Sequence, residues 1–265
     1  MKKVILSILV AVVITGSCSK KEFNDPTMTG ETSSALKCAP VGGHDPFQKL
    51  KWKQINEMVN NMHWIQQSCF KIDVPKCKIY TDPLSITQTD VADIILISHA
   101  HGDHFSPDDI NKLTGPKTII IAPADCNYTG TAKRIVLKPG EIYNSRCIKI
   151  KAVPAYNITK TDYHPKSNNW VGYLITINGV TIYHAGDTER IPEMKDMTCD
   201  IALLPLGQTY TMNSVADAAE SAKDVHAKVA IPMHFNYYEG TDADAQTFKT
   251  LLEGKINVVI KTKGQ

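Results

Sequence analysis

Apolar residues in this chain fall into short, β-branched runs separated by Pro, Gly and Asn, with a few stretches of helical spacing between them. The runs at 78–81, 92–98, 117–122, 134–137, 148–153, 171–177, 181–184, 201–206 and 229–232 predict β-strands. That at 92–98 is apolar on both faces, which predicts a strand buried on both sides. Asn178-Gly179, between two runs, is the dipeptide of a type I′ hairpin turn. Helices are predicted at 46–60, 106–115, 213–225 and 242–252. In the second of these, Ser106 is the N-cap, Pro107 occupies the first turn and Gly115 closes the segment. In the third, Val215, Ala218, Ala222 and Val225 share one face. Strands interleaved with helices over 45–265 predict a single domain of the α/β (α+β) class, large enough for a sizeable core.

The first 44 residues break this pattern. Lys2-Lys3 precede an apolar run at 4–14 that is too short to span a bilayer as a mature helix. Thr15-Gly16-Ser17 then supply small residues for cleavage, so 1–17 reads as a signal peptide. Residues 18–44 are polar and without hydrophobic period, which predicts a flexible tether. Cys18, followed by Ser-Lys-Lys, resembles the lipidated residue of a bacterial lipoprotein, although Thr15 stands where Leu is usual. Lipid anchoring at Cys18 and simple secretion are the two alternatives. Both place the mature protein outside the cytoplasm.

Export changes the reading of the cysteines. Apart from Cys18 there are six, an even number in a disulfide-permissive compartment. Cys69 with Cys77 and Cys126 with Cys147 are plausible pairs, and buried thiols are the alternative. The absence of Cys-x-x-Cys spacing excludes a zinc finger or a thioredoxin-type centre. A net charge of +2, from 29 basic and 27 acidic residues scattered along the chain, gives no electrostatic footprint for nucleic acid.

The candidate chemistry is concentrated at 98–104, Ser-His-Ala-His-Gly-Asp-His. Imidazole nitrogen and carboxylate oxygen are the ligands preferred by Zn²⁺ and other divalent first-row metals. Where the chain is still extended past the buried strand, His99 and His101 point the same way. Asp103 and His104 then lie in the turn before a helix and can face a second ion.

Further along, Val180-Thr-Ile-Tyr-His-Ala-Gly-Asp187-Thr188 and Ile231-Pro232-Met233-His234 each end a strand run in a potential ligand. With these motifs the chain resembles the metallo-β-lactamase superfamily, from about Trp64 to the C-terminus. Within it, the chain looks most like the UlaG-like branch of metal-dependent hydrolases, named for an L-ascorbate-6-phosphate lactonase. That narrower resemblance rests on Tyr80-Thr-Asp82-Pro83, Val153-Pro-Ala-Tyr-Asn157, His164-Pro-Lys166, Tyr183-His-Ala-Gly-Asp187-Thr188 and Thr209-Tyr-Thr-Met212. The branch is also similar to the phospholipase D that hydrolyses N-acylphosphatidylethanolamine.

The resemblance implies an αββα sandwich of two mixed β-sheets flanked by helices, holding two divalent ions. Zinc is the first choice, with manganese or iron as alternatives. His99, His101 and a further histidine would hold one ion. Asp103, His104 and His234 would hold the other, with Asp187 bridging. The position expected for the further histidine is Asn157 here, a poor transition-metal ligand, so His164 is the candidate to replace it. Asp103 is also assigned to orienting the attacking water and receiving its proton. His184 and Asp82 are expected to support the ligands, and Lys166, Tyr156 and Tyr210 to meet substrate. His44, His63 and His226 lack ligand-rich neighbours and are read as surface or core residues. Three functions follow: a hydrolase of small lactones, esters or phosphodiesters; a membrane-facing phospholipase D; or a non-enzymatic metal-binding lipoprotein.

Overall fold

The computed structural model describes residues 46–87, 89–145 and 148–264. The signal peptide, Cys18, the tether, Cys38, His44 and Cys147 lie outside the described residues. In chain order the elements are α1 (Pro46–Asn60), β1 (Met62–Gln66), β2 (Cys69–Val74), β3 (Cys77–Thr81), β4 (Ile94–Leu96), α2 (Pro107–Leu113), β5 (Ile119–Ala122), β6 (Lys133–Val136), β7 (Ile142–Asn144) and β8 (Ile148–Pro154). After them come β9 (Val171–Ile177), β10 (Val180–His184), β11 (Ile201–Pro205), α3 (Val215–Asp224), β12 (Val229–Met233), α4 (Asp242–Leu252) and β13 (Asn257–Val258). No described helix is long and apolar enough to cross a membrane.

Two mixed sheets result. The first is ordered β1-β2-β3-β4-β5-β6 and the second β13-β12-β11-β10-β9-β8-β7. In the first, β1, β2 and β3 pair antiparallel, and β3 to β6 run parallel. In the second, β7 to β10 are antiparallel, and β10 to β13 are parallel.

Alternation along the central strands shows how the layers stack. Ile94 and Leu96 of β4 join the large cluster between the sheets, whereas Ile95 and Ile97 join a second cluster with Ile110 and Leu113 of α2. The same split separates Ile79 from Tyr80 and Ile121 from Ile120. A strand with both faces buried between a sheet and a helix must be apolar throughout, which is why 92–98 carries no clean alternation. On the second sheet α3 brings Ala218 and Ala222 into the core, with Phe248 and Leu252 of α4 beside them. The order is therefore helix, sheet, sheet, helix, the αββα sandwich that the resemblance implied.

Local rules account for most boundaries. Ser106, Ser214 and Thr241 each accept the backbone N–H three residues on, and Thr241 with Asp244 completes a capping box. Gly115 does not close α2. The helix stops at Leu113, and the Thr114 hydroxyl donates to the Ile110 carbonyl at 2.8 Å. The β1–β2 hairpin, absent from the expected strands, alternates buried and half-buried positions over Met62–Gln66 but is interrupted by a bulge. Cys69, Cys126 and Cys199 are buried free thiols, so the Cys69–Cys77 bridge does not form, although the two residues do lie in one hairpin. Burial raises all three thiols well above their ordinary range, leaving them as small apolar core groups.

Candidate metal centre

The parallel halves of both sheets place their carboxyl ends together, and the chemistry collects there. Leaving β4, the chain turns through His99, His101, Asp103 and His104. Leaving β10 it reaches Asp187, and leaving β12 it reaches His234. The segment after β8 supplies Asn157 and His164. Gly186 makes the convergence possible. Its φ of +64° is left-handed, and a Cβ there would sit 3.0 Å from both the Ser98 side chain and the Val171 carbonyl. Any larger residue would push the Asp187 turn away from the histidine loop.

Asp187 is the hub. Its Oδ2 lies 3.1 Å from His234 Nε2, 3.5 Å from His164 Nε2 and 3.9 Å from His99 Nε2, and its Oδ1 lies 3.3 Å from His104 Nε2. Three overlapping groups offer ligand atoms within 4.8 Å of one another: His99, His101 and His164; His99, His104 and Asp187; and Asp103, His104 and His234. All seven sequence candidates are thus brought together. His164, not Asn157, enters the cluster. Asn157 stands behind it, donating to the Tyr210 carbonyl at 2.7 Å while its backbone N–H donates to the His164 carbonyl at 2.8 Å.

Supporting contacts fix the rings. His104 Nδ1 donates to Asp82 Oδ2 at 2.8 Å, and Asp82 also accepts from the Ser98 backbone N–H and hydroxyl, each at 2.7 Å. His164 Nδ1 donates to the Tyr210 carbonyl at 3.1 Å. These bonds leave Nε2 of both rings facing the cluster. His184 supports less directly: its Nε2 donates to the Ser68 carbonyl at 2.9 Å and lies 3.9 Å from Asp82. Trp170 packs against His99 and His101 with ring centroids 4.9 and 4.8 Å away.

Three residues outside the sequence motifs complete the arrangement: Trp170, Glu239 and Gln67. Glu239 Oε1 lies 3.2 Å from His234 Nδ1, and Oε2 accepts from the backbone N–H groups of Thr209 and Tyr210. Gln67, in the β1–β2 turn, places Nε2 3.1 Å from Asp103 Oδ2 and 2.8 Å from His234 Nε2. Its carbonyl accepts the His234 backbone N–H at 3.0 Å. Asp82, Gln67 and His234 all take positive φ, at 38°, 53° and 55°. Left-handed backbone is costly for such residues and persists where surrounding bonds hold it, commonly at functional sites. Gln67→Ala is expected to weaken metal binding at the Asp103–His104–His234 group by about 10–100-fold, the usual loss when an outer partner is removed. Chelator competition measures this, and an unchanged affinity would reduce Gln67 to a space-filling role.

The electrostatics are those of a cation site. Burial favours the neutral carboxyl of Asp187, yet His104 and His234 hold it well below the ordinary carboxylate range. Burial likewise opposes Asp103, but the neighbouring His104, 3.4 Å away, brings it down to about 2. His104 is lifted well above the usual imidazole value by Asp187 and Asp82 against its burial, and His234 to about 9 by Asp187 and Glu239. His99 and His101 move the other way, through burial and the neighbouring imidazoles. The residues fit a divalent metal on a further ground. His104 Nε2, His164 Nε2 and Asp187 Oδ1 are buried and make no hydrogen bond, although they face one another. Buried polar atoms without partners are rare and costly, and metal coordination satisfies all three.

The comparisons with known proteins agree with this geometry. A family model described as a β-lactamase superfamily domain matches residues 61–234. A UPF0173 metal-dependent hydrolase of Pyrococcus furiosus is 35% identical over 182 residues, covering 65% of this chain and 80% of that protein. The chain belongs to the UPF0173 metal-dependent hydrolases of the β-lactamase superfamily. Among solved structures, a metal-dependent hydrolase of Parabacteroides distasonis is 38% identical with a TM-score of 0.69, over 76% of this hydrolase and 92% of that chain. Igni18, a metallo hydrolase of Ignicoccus hospitalis, shares the fold at 23% identity and a TM-score of 0.64, over 77% and 95%. Membership among hydrolases sets aside the non-enzymatic reading.

A cavity of about 430 Å³ opens over the cluster, lined by His101, Asp103, His164, Asp187, His234 and three tyrosines, Tyr163, Tyr210 and Tyr238. Of the three residues expected to meet substrate, Tyr210 lines this cavity and Lys166 and Tyr156 do not. Lys166 Nζ points to Glu193 Oε1 at 2.8 Å and packs over the Tyr156 ring, while the Tyr156 hydroxyl donates to Glu193 Oε2 at 2.9 Å. Glu193, 27 positions from Lys166 in sequence, takes the charge that was expected to meet an anion. His63 and His226 stand apart from the cluster, as read from the sequence. The Asp103 side chain is 17% exposed and that of Asp187 only 4%, so Asp103 is the more open of the two carboxylates that line the cavity.

Proposed function

We propose that this hydrolase cleaves a small lactone, ester or phosphodiester with water activated at two divalent ions, zinc foremost and manganese or iron as alternatives. The observation that carries this reading is the cavity set directly over a double set of buried ligands centred on one carboxylate. His99, His101 and His164 would hold one ion, Asp103, His104 and His234 the other, with Asp187 shared. A divalent ion supplies Lewis acidity and lowers the pKa of water at the site from about 16 towards 7. No serine or cysteine nucleophile is then needed.

The chain's own groups set direction. Asp103, ionised at neutral pH and open to the cavity, accepts a hydrogen bond from the attacking water and orients it. Held at about 2, its carboxyl is a weak store for the proton, which it passes on to the substrate's departing oxygen as that bond breaks. His104 is locked by Asp82 and His164 by the Tyr210 carbonyl, so neither ring turns as charge develops. The phospholipase D reading fits less well, since about 430 Å³ is near the lower end of ordinary small-molecule sites. In the same proposal 1–17 is an export signal, and Cys18, if lipidated, tethers the enzyme to the outer face of a membrane.

Metal analysis of the purified protein, followed by lactone, aryl ester, bis-aryl phosphodiester and N-acyl phospholipid panels, tests the assignment. Turnover on one of the first three classes is expected to need metal, and Asp103→Ala should reduce it by about 10²–10⁴-fold. Metal-independent turnover, or turnover of phospholipid alone, would overturn it.

A further inference from the structure

Beyond the ligand cluster, the cavity wall is aromatic and, among the described residues, carries no free cation. Tyr163 and Tyr210 meet edge to face with centroids 4.8 Å apart, and Tyr238, its ring packed on Tyr237 at 4.4 Å, lines the same opening. Tyr163, Tyr210 and Tyr238 are 43%, 37% and 64% exposed, large apolar faces left in water at the mouth of a cavity. The lysines of the loop after β8 are both committed elsewhere. Lys160 Nζ donates to the carbonyls of Met212 at 2.9 Å and Gln208 at 3.2 Å, and Lys166 is paired with Glu193. Among the described residues that line the cavity there is no lysine or arginine.

We infer that the part of the substrate outside the reacting group is an uncharged aromatic or similarly flat apolar moiety, received between the Tyr163–Tyr210 pair and Tyr238. This rests on the hydrolase reading above and narrows it. Exposed rings with hydroxyl tips are suited to such a group: they bury apolar area, offer offset or edge-to-face contact, and keep their polar ends wet. Anionic tails such as a sugar phosphate or a diacylglycerol phosphate meet no cationic partner beyond the metals. An anionic group placed against these ring faces loses hydration without replacement.

Binding of two hydroxamic acids to the zinc-loaded full chain, measured by calorimetry, separates this inference from the one beneath it. Acetohydroxamic and benzohydroxamic acid share one metal-chelating head and differ in the ring. Benzohydroxamic acid is expected to bind on the order of tenfold tighter, from ring burial and aromatic contact. Its 4-carboxy derivative should lose that advantage. Tyr163→Ala and Tyr238→Ala should bring the ratio of the two acids to within about twofold, and the corresponding Phe variants should keep it, because the ring rather than the hydroxyl makes the contact. Both tyrosines are exposed, so an unchanged melting temperature checks that the variants fold. Equal affinity for the two acids, or tighter binding of the carboxylated one, would overturn the inference while leaving the metal centre intact. Failure of both acids to bind would overturn the metal centre itself.

Discussion

Asp187→Asn is expected to remove metal-dependent hydrolysis almost completely and to release metal from both ligand groups together. The Asp187 carboxylate lies within 4 Å of four separate imidazoles, His99, His104, His164 and His234. A carboxamide keeps the shape but brings no charge, so an ion held in either group would lose its most deeply buried anionic ligand. The Lewis acidity of a bound metal is worth several kcal/mol, so its loss is on the order of a thousandfold or more in rate. Metal content by elemental analysis and turnover should fall in parallel. Asp82→Asn, by contrast, leaves every ligand present and only loosens His104, so its loss of metal affinity should stay within about 10–100-fold. Retention of two ions and of turnover in Asp187→Asn would show that the two groups are independent sites, with Asp187 a spectator between them.

How much of this was legible beforehand follows from where each contact originates. His99, His101, Asp103 and His104 lie within six residues at a strand end, and residue type with spacing is enough to find them. Asp187 and His234 are visible because each ends an apolar strand run, and a strand end is where a rigid sheet presents side chains. His164 is harder, because the resemblance points to position 157 and only the fold shows that the chain doubles back, with the Asn157 N–H on the His164 carbonyl. Gln67 and Glu239 left no mark in the sequence. Each acts through a partner far away along the chain, Gln67 on His234 and Glu239 on the Thr209 and Tyr210 amides, and nothing about a lone Gln or Glu announces that. Lys166 is the converse: a lysine beside a ligand suggests an anion site, but Glu193 comes from a separate turn to neutralise it. The β1–β2 hairpin was only partly hidden: in β1 the half-buried Ile65 and buried Gln66 reverse the apolar–polar order, whereas Phe70-Lys71-Ile72-Asp73-Val74 of β2 alternates cleanly and was legible.

Metal affinity should depend steeply on pH, and the direction follows from two imidazoles. In the metal-free protein His234 titrates at about 9 and His104 well above the ordinary imidazole value, because each faces buried carboxylates. Both are therefore protonated at pH 7, and both must give up a proton to coordinate. Loading at pH 7 is expected to release about two protons, seen as a buffer-dependent binding enthalpy, and apparent affinity should fall by up to about 100-fold for each pH unit below 7. Stability responds to pH differently in the two forms. A raised imidazole pKa stabilises the metal-free fold fully below the unfolded value near 6.5, and that contribution is lost as pH rises through about 9. Metal-free protein should therefore melt lower at pH 9.5 than at pH 6.5, whereas at a fixed saturating free-metal concentration the loaded protein should hold its stability over the same window, because tighter binding offsets the loss in the metal-free fold. Melting curves with and without zinc across this range test both expectations at once. A loaded protein that weakens with rising pH alongside the metal-free one would mean that His104 and His234 keep their protons when metal binds, and are not its ligands.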